Sequence, residues 1–583
     1  MEQQSLSNPV LENPQPWGDS GDMLDFLLSD FNSNYPLTLP VMQFDPPLNP
    51  TIPTVNQQTG PGHFAMHQMS KLIADLSSSL TAEIESTGMT SAFLDTCMHV
   101  FFEKFIPSFP VLHKPTFLVR ESSHPLLLNI IALGSLFVGA KDALPKGEAL
   151  WRLAHTAVAT SWQALMATKG PRDQCNGVQL VLTALLGQTY AILSKNESLR
   201  MTSQVFHGLG FYWARQCGMY DAEDFQDSDI PALDAPENEK MEAWKSWAAR
   251  EIMKRSVLGH YILDGQISEF SGHPACTRHV TNSLFTPAQE RIFAATTVDA
   301  WIFAMRLHTK KTTSFRQVFV SLFSRGPNSL GRLDQPLSNF TVRVVLEGLQ
   351  SLAADIQAAG SSVGTPSSAE IAWALIKLQN ERLLLSDASV ENVELLVRFH
   401  SICLNLATPT TMLCQRLCRL YGIHQQLHRQ AIIADPISTI QTWAQSVDGL
   451  RALLHAMAIQ DLVERLPLGR SHAIHLPAAI FAVATIYSAR CLAGFPTILV
   501  PHDFPWQDVW GISDRSNGVV DAFLHNKPSE VSCELTTRNL MYDLNSLQIT
   551  LNSISLRWGV SHAMDEILHR WIVLANESAQ ASI

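Results

Sequence analysis

From His63 onward, apolar residues recur at three- and four-residue steps, the spacing of helices that bury one face. Over residues 242–265 the stripe consists of Trp244, Trp247, Ala248, Ile252, Val257, Leu258, Tyr261 and Ile262. Similar spacing predicts helices over 126–138, 178–193, 205–217, 393–406, 476–492 and 546–575. Breaks at 169–172, 231–237, 359–367 and 526–529 carry Gly or Pro and are expected to be inter-helix loops. No ladder of alternating strands joined by Asn-Gly or Asp-Gly turns is present, and no fixed repeat period suggests a solenoid. The expected fold class is all-α.

Residues 1–62 follow a different pattern. They hold ten prolines, from Pro9 to Pro61, and no Lys or Arg occurs between Met1 and Ser70, whereas Glu2, Glu12, Asp19, Asp22, Asp25, Asp30 and Asp45 are acidic. Such a segment has too little apolar surface to offset its ordering entropy and is expected to be disordered. Inside it, residues 19–31 alternate aspartates with Leu24, Phe26, Leu27, Leu28 and Phe31. On a transient helix, Leu24, Leu27, Leu28 and Phe31 share one face, which the interleaved aspartates keep soluble until a partner groove covers it. This is the acidic-hydrophobic pattern of a transcriptional activation segment; the other reading is a short helix that docks on its own core.

Composition narrows the class. Hydrophobic residues make up 46% of the 583 and charged residues 16%, where ordinary soluble domains run near ~25% charged. A large buried core follows. The net charge of −12 disfavours a nucleic-acid reader within the chain, and the basic pairs Lys254-Arg255 and Lys310-Lys311 are too sparse to track phosphates. The N-terminus lacks the basic and apolar regions of a secretory signal and the Arg of a transit peptide. The longest apolar stretch, 126–140, is interrupted by Asn129, Gly134 and Ser135 and falls short of the ~18–20 residues that span a bilayer. An intracellular chain without membrane contact is expected. The nine cysteines sit in apolar surroundings, as free buried thiols do.

Candidate chemistry is sparse. Cys414, Cys418, His424 and His428 form a Cys-x3-Cys-x5-His-x3-His run of zinc-type ligands. On one continuous helix its ends would lie about 21 Å apart, so convergence on an ion requires a break near Gly422. Two core thiols and two histidines on a polar face is the preferred reading. His472 and His475 lack the Glu of a His-Glu-x-x-His site. Gly-x-Ser-x-Gly, the phosphate-binding Gly-x-x-x-x-Gly-Lys-Ser/Thr and Asp-Asp-x-x-Asp are absent, and Gly208-x-Gly210 lacks a third glycine. Glu251 and Asp264 stand 13 residues apart on one helical stretch, too far to act as an acid/base pair, and each is expected to pair with a local base, Arg255 in the case of Glu251. No catalytic, cofactor or metal site is expected.

The run Phe101-Phe102-Glu-Lys-Phe105-Ile-Pro-Ser-Phe109-Pro110-Val-Leu-His113-Lys-Pro115-Thr-Phe117 resembles the opening of the fungal-specific transcription factor domain, the middle homology region. The following blocks resemble it in family order: Ile131-Ala-Leu-Gly-Ser-Leu-Phe, Gly208-Leu-Gly-Phe-Tyr-Trp-Ala-Arg-Gln-Cys-Gly218, and Trp244, Trp247, Glu251 and Arg255 followed by Asp264. The stretch Leu556-Arg-Trp558-Gly559-Val-Ser561 is similar to the C-terminal end of the subgroup whose DNA readers are two-Cys, two-His zinc fingers. The resemblance covers most of 95–285 and the remainder more loosely.

It implies a nuclear transcriptional regulator of a metabolic or secondary-metabolite gene cluster. The divisions expected are 1–62 as the activation segment, 63–285 as the middle homology region and 286–583 as its helical continuation. The aromatic and charged residues of the blocks are expected in the core, with Phe101, Phe102, Phe105 and Phe109 on one helical face that Pro110 ends. The zinc module of the family is missing from the sequence. Either the chain starts downstream of a finger or it reaches DNA through a homo- or heterodimeric partner, with the N-terminal segment contacting a co-activator. The alternative is a DNA-binding-deficient co-regulator, or a small-molecule sensor that titrates another transcription factor.

Overall fold

The computed structural model describes Ala82 and residues 88–581, except 308–312, 325–336, 360–363, 384–388, 426, 429–438, 468–471, 503, 513–517, 528–534 and 556. The expectations for residues 1–62, for Lys310-Lys311 and for Leu556 fall outside these residues.

The chain divides into two units, one up to Val100 together with Leu118–Ser161, the other comprising Phe101–Phe117 and the chain from Trp162 onward. In the first, α1 (Ser91–Val100) packs on α2 (His124–Ser135). The two approach so closely that a Cβ at Gly134 would fall 1.9 Å from the carbonyl oxygen of Cys97. The next helix, α3 (Ala143–Ala167), loses helical geometry at Ser161, where the units divide.

The second unit is a succession of helices. Its principal ones are α4 (Val178–Ile192), α5 (Glu197–Phe206), α6 (Leu209–Gln216), α7 (Glu237–Ser271), α8 (Val298–Leu307), α9 (Phe315–Phe323), α10 (Asn339–Ala359), α11 (Ser368–Leu378), α12 (Val390–Ala407), α13 (Thr410–Leu420), α14 (Val447–Val463) and α15 (Leu476–Leu492). The strands β1 (Thr497–Pro501) and β2 (Leu535–Asn539) follow, and α16 (Leu540–Ser555) and α17 (Ser561–Ala581) complete it. Helix α4 packs on α7, α7 on α10, α10 on α12, α12 on α14 and α14 on α15, which α16 and α17 cover.

Local sequence starts and stops these helices. Asn196 caps α5 by accepting the Ser198 N–H, and Ser314 with Gln317 and Ser367 with Glu370 form capping boxes on α9 and α11. Glu237 and Glu239 occupy the first turn of α7, where the helix dipole favours negative charge. At its far end Gly272 takes φ 70° and its N–H returns to the Ser268 carbonyl, a left-handed cap that suits glycine.

All-α is the architecture found, with three local departures. The paired strands run antiparallel, with Thr497 opposite Asn539 and Pro501 opposite Leu535; each has five residues, β2 is mostly exposed while β1 buries Val500 and Pro501, and no tight turn joins them. The helix expected over 205–217 is broken between Phe206 and Leu209, and α6 packs against α7 beyond the break. A Cβ at Gly210 would lie 2.2 Å from the His260 ring. The helix expected over 546–575 breaks after Ser555, where Gly559 meets the Lys195 backbone and the Val560 N–H donates to the Leu193 carbonyl, 3.1 Å away. Trp558 is buried beside this junction.

Gly210→Ala is expected to overpack the α6–α7 contact and to lower stability by about 1–3 kcal/mol. Chemical denaturation monitored by circular dichroism checks this; an unchanged midpoint would show that His260 yields freely.

Candidate functional site

The aromatic block does not form one continuous α-helix. After α1, Phe101–Phe105 form a π-helical turn with the Ile106 N–H bonded to the Phe101 carbonyl. Phe101, Phe102, Phe105 and Phe109 are nonetheless all buried. Rings Phe101 and Phe105 stack at 5.2 Å, and Phe102 tilts against Phe117 at 5.0 Å. Pro115 is exposed and Pro110 and Phe117 are half-buried, so these three do not belong to the fully buried core. Pro115 sits within a short 3-10 turn, Lys114–Thr116, where its missing N–H is harmless.

His113 lies edge-on to Trp244, Trp247 and Phe293, at ring separations of 5.5, 5.7 and 5.1 Å. Burial, reinforced by the nearby Arg255 charge, lowers its pKa to about 3. Trp244 and Trp247 pack with Phe225, Ile292, Phe293, Trp301 and Ile302 in one cluster.

Helix α7 then carries three charges that hold backbone from elsewhere. Glu251 accepts the Ala288 N–H at 3.0 Å, while Arg255 donates to the Ala288 carbonyl at 3.0 Å and to the Pro110 carbonyl at 3.1 Å. One residue is thereby gripped at both its donor and its acceptor. The Arg255 guanidinium also lies over the Phe293 ring, 3.7 Å from its centroid. Glu251 and Arg255 stand 3.6 Å apart at Oε2 and Nε, but the shorter pairing of Glu251 is with Lys254 at 2.6 Å, and Lys254 continues to Asp224 at 2.8 Å.

Asp264 corrects the expectation of a base on its own helix. It lies 3.1 Å from Nε2 of His207, at the α5–α6 junction, and accepts the N–H groups of Cys276 and Thr277 at 2.9 and 3.1 Å. The loop after α7 folds back over the helix, so the partners come from tertiary contact. The Cys276 Sγ stands 3.0 Å from the same His207 nitrogen. Burial works against a charged His207, but hydrogen bonds to Asp264 and Cys276 outweigh it and raise its pKa to about 10.

One turn further, α7 meets a second buried cluster. Arg398 on α12 grips Glu347 on α10 through two bonds, Nε at 2.8 Å and Nη2 at 2.6 Å, and reaches Glu269 on α7 through Nη1 at 2.6 Å. Gln266 donates to Glu347 and Asn405 to Glu269. The two carboxylates overcome burial and keep Arg398 charged. Glu269 also borders a cavity of about 370 Å³ lined by Ser268, Gln350, Gln357, Asn405 and Gln415 among others. This cleft, lined by both polar and apolar side chains, is a candidate for a small ligand.

The Cys414/Cys418/His424/His428 run does not assemble. Helix α13 ends at Leu420, and Gly422 takes φ 63°. Cys414 and Cys418 are buried, whereas His424 is exposed. His428 is not on a polar face: it is buried and donates through Nδ1 to the Phe270 carbonyl at 2.8 Å. Among the described residues, the metal-type cluster that does assemble is His207, Asp264 and Cys276. Sequence reading missed it because its members lie on three segments, 57 and 12 residues apart, and the histidines nearest Cys276 along the chain, His273 and His279, are not the one it meets. The residues Leu24, Phe26, Leu27, Leu28 and Phe31 lie outside the described residues.

Among the described residues, no helix is long and apolar enough to cross a membrane.

Two outcomes follow. Arg398→Met leaves Glu347 and Glu269 buried without their counter-charge and is expected to cost about 3–5 kcal/mol, read as a lower denaturant midpoint. Burial also holds His260 and His279 near pKa 4 and His400 near 3. With His113, these groups bind protons in the unfolded chain from about pH 6.5 but stay neutral when folded. Their contribution to stability is therefore full above about pH 6.5 and falls as pH drops toward 4, by up to about 1.4 kcal/mol per pH unit for each histidine. Urea midpoints measured between about pH 7 and about pH 5 check the slope.

Residues 98–324 match the fungal specific transcription factor domain. Among curated proteins, the chain is similar to Zinc finger protein klf1 of Schizosaccharomyces pombe, at 24% identity over 252 residues. The aligned part is 43% of this chain and 30% of that relative. No solved structure matches the chain.

Proposed function

We propose that this chain, which carries a fungal specific transcription factor domain at residues 98–324, is a nuclear regulator of transcription that controls a metabolic or secondary-metabolite gene cluster. The domain match carries the reading. The sequence adds the acidic, Lys- and Arg-free segment 1–62 with its apolar positions Leu24, Phe26, Leu27, Leu28 and Phe31, whose pattern suits capture by a co-activator groove.

DNA contact is the part these 583 residues do not supply. They contain no Cys-x2-Cys pair and no concentrated basic patch. The relative's name includes a zinc finger. In the proposed arrangement, DNA is reached through a finger outside this sequence or through a DNA-bound homo- or heterodimeric partner, and the helical region regulates rather than reads.

The cavity beside Glu269 favours a second reading, a small-molecule sensor that titrates another regulator. Glu269 both borders the cavity and pairs with Arg398, so a ligand there would act on the contact among α7, α10 and α12.

Deleting the gene and measuring transcripts separates the readings. Lower expression of a contiguous set of metabolic genes supports the activator, a rise supports the titrating partner, and an unchanged transcriptome overturns both. For the segment itself, residues 1–62 fused to an unrelated DNA-binding domain are expected to activate a reporter, and Leu27→Ala, Leu28→Ala and Phe31→Ala together to abolish activation. A silent fusion removes the activation role.

A further inference from the structure

We propose that His207, Asp264 and Cys276 form a binding site for a zinc-class transition-metal ion, open to solvent on the Cys276 side. Their ligating atoms, Nε2, a carboxylate oxygen and Sγ, all lie within 4.8 Å of one another. Two of the separations are 3.0 Å, Sγ to Nε2, and 3.1 Å, Nε2 to Oδ1. Donor atoms around a tetrahedral zinc stand about 3.3–3.6 Å apart, given bonds near 2.3 Å to sulfur and 2.0–2.2 Å to nitrogen and oxygen. These two pairs therefore need to open by only a few tenths of an ångström, and the sulfur and carboxylate oxygen lie within 4.8 Å of each other.

Two of the three ligands are already oriented by neighbours. The Nδ1 of His207 lies 2.7 Å from the Gln204 carbonyl, which can only accept, so Nδ1 carries a proton and the metal-binding nitrogen is Nε2. Metal-binding histidines are commonly held in this way by a backbone carbonyl. Asp264 is buried, and the Cys276 and Thr277 N–H groups fix its two oxygens. A histidine–aspartate ion pair would account for two members of the cluster. It does not account for the thiol aimed at the same nitrogen, nor for the glycine beside it, where a Cβ on Gly208 would stand 3.3 Å from the sulfur.

The donor set selects the ion. One thiolate, one imidazole and one carboxylate suit zinc and its neighbours, whereas calcium and magnesium prefer oxygen alone. Three protein ligands with an exposed face leave the fourth position to water. On binding, the Cys276 S–H bond is replaced by a sulfur–metal bond and its proton leaves to solvent, as does any proton on Nε2. The same cluster cannot work as a nucleophile triad, since one nitrogen faces both the thiol and the carboxylate and no separate ring nitrogen links His207 to Asp264.

The test uses the reduced, chelator-treated full chain titrated with cobalt(II) as a spectroscopic stand-in for zinc. Stoichiometric binding with a thiolate-to-cobalt charge-transfer band is expected, displaced by zinc and lost in Cys276→Ser. Because this thiol is exposed, the variant should keep its circular dichroism spectrum. In the unsubstituted chain, zinc is expected to slow alkylation of Cys276 by about tenfold or more, read by mass spectrometry of its peptide; His207→Gln should remove the protection. Absence of the band in the reduced native chain, its persistence in Cys276→Ser, or an alkylation rate indifferent to zinc would each overturn the site.

Discussion

Burying charge along a single helix is the constraint that orders this molecule. Helix α7 carries Glu251, Lys254, Arg255 and Asp264 in its buried part, with Glu269 near its end paired to a fully buried Arg398. An ion taken out of water costs several kcal/mol unless a matched partner surrounds it. Each charge therefore dictates a neighbour. Glu251 and Arg255 fix Ala288 and Pro110, Asp264 fixes the turn at Cys276 and Thr277, and Arg398 ties α12 to α10 and α7. These contacts tie α7 to α10 and α12 and to two loops.

The carboxylates illustrate how placement decides chemistry. Glu347 is enclosed, gripped by a guanidinium fork and an amide, and has no open side; a Cβ on Gly265 would already lie 2.4 Å from its Oε2. Asp264 is as deeply buried but faces an imidazole and a thiol at the protein surface. The first arrangement locks helices together. The second leaves three donor atoms and an approach from solvent.

Much was legible in the sequence because helical periodicity and caps are local. The stripe from Trp244 to Ile262 identifies α7, and Trp244 and Trp247 do sit in an aromatic cluster. The breaks at His207 and Gly559 were not legible. Apolar spacing continues through both, whereas in the fold Gly210, just past the first break, lies against the His260 ring and Gly559, at the second, lies against the Lys195 backbone. The same holds for His428, whose sequence neighbours suggested a polar face but whose ring reaches the Phe270 carbonyl.

The sequence by itself determined an all-α class for the region from His63, the aromatic and charged blocks of a regulatory domain, and an acidic segment over residues 1–62 without a basic residue, because composition and 3.6-residue periodicity are properties of contiguous chain. Only the tertiary structure decided which charge meets which. Arg255 meets Pro110 across 145 residues, Arg398 meets Glu269 across 129, and Cys276 meets His207 across 69. Those encounters depend on how buried ions find counter-charges and hydrogen bonds in a packed interior, and no spacing along the chain encodes that distance.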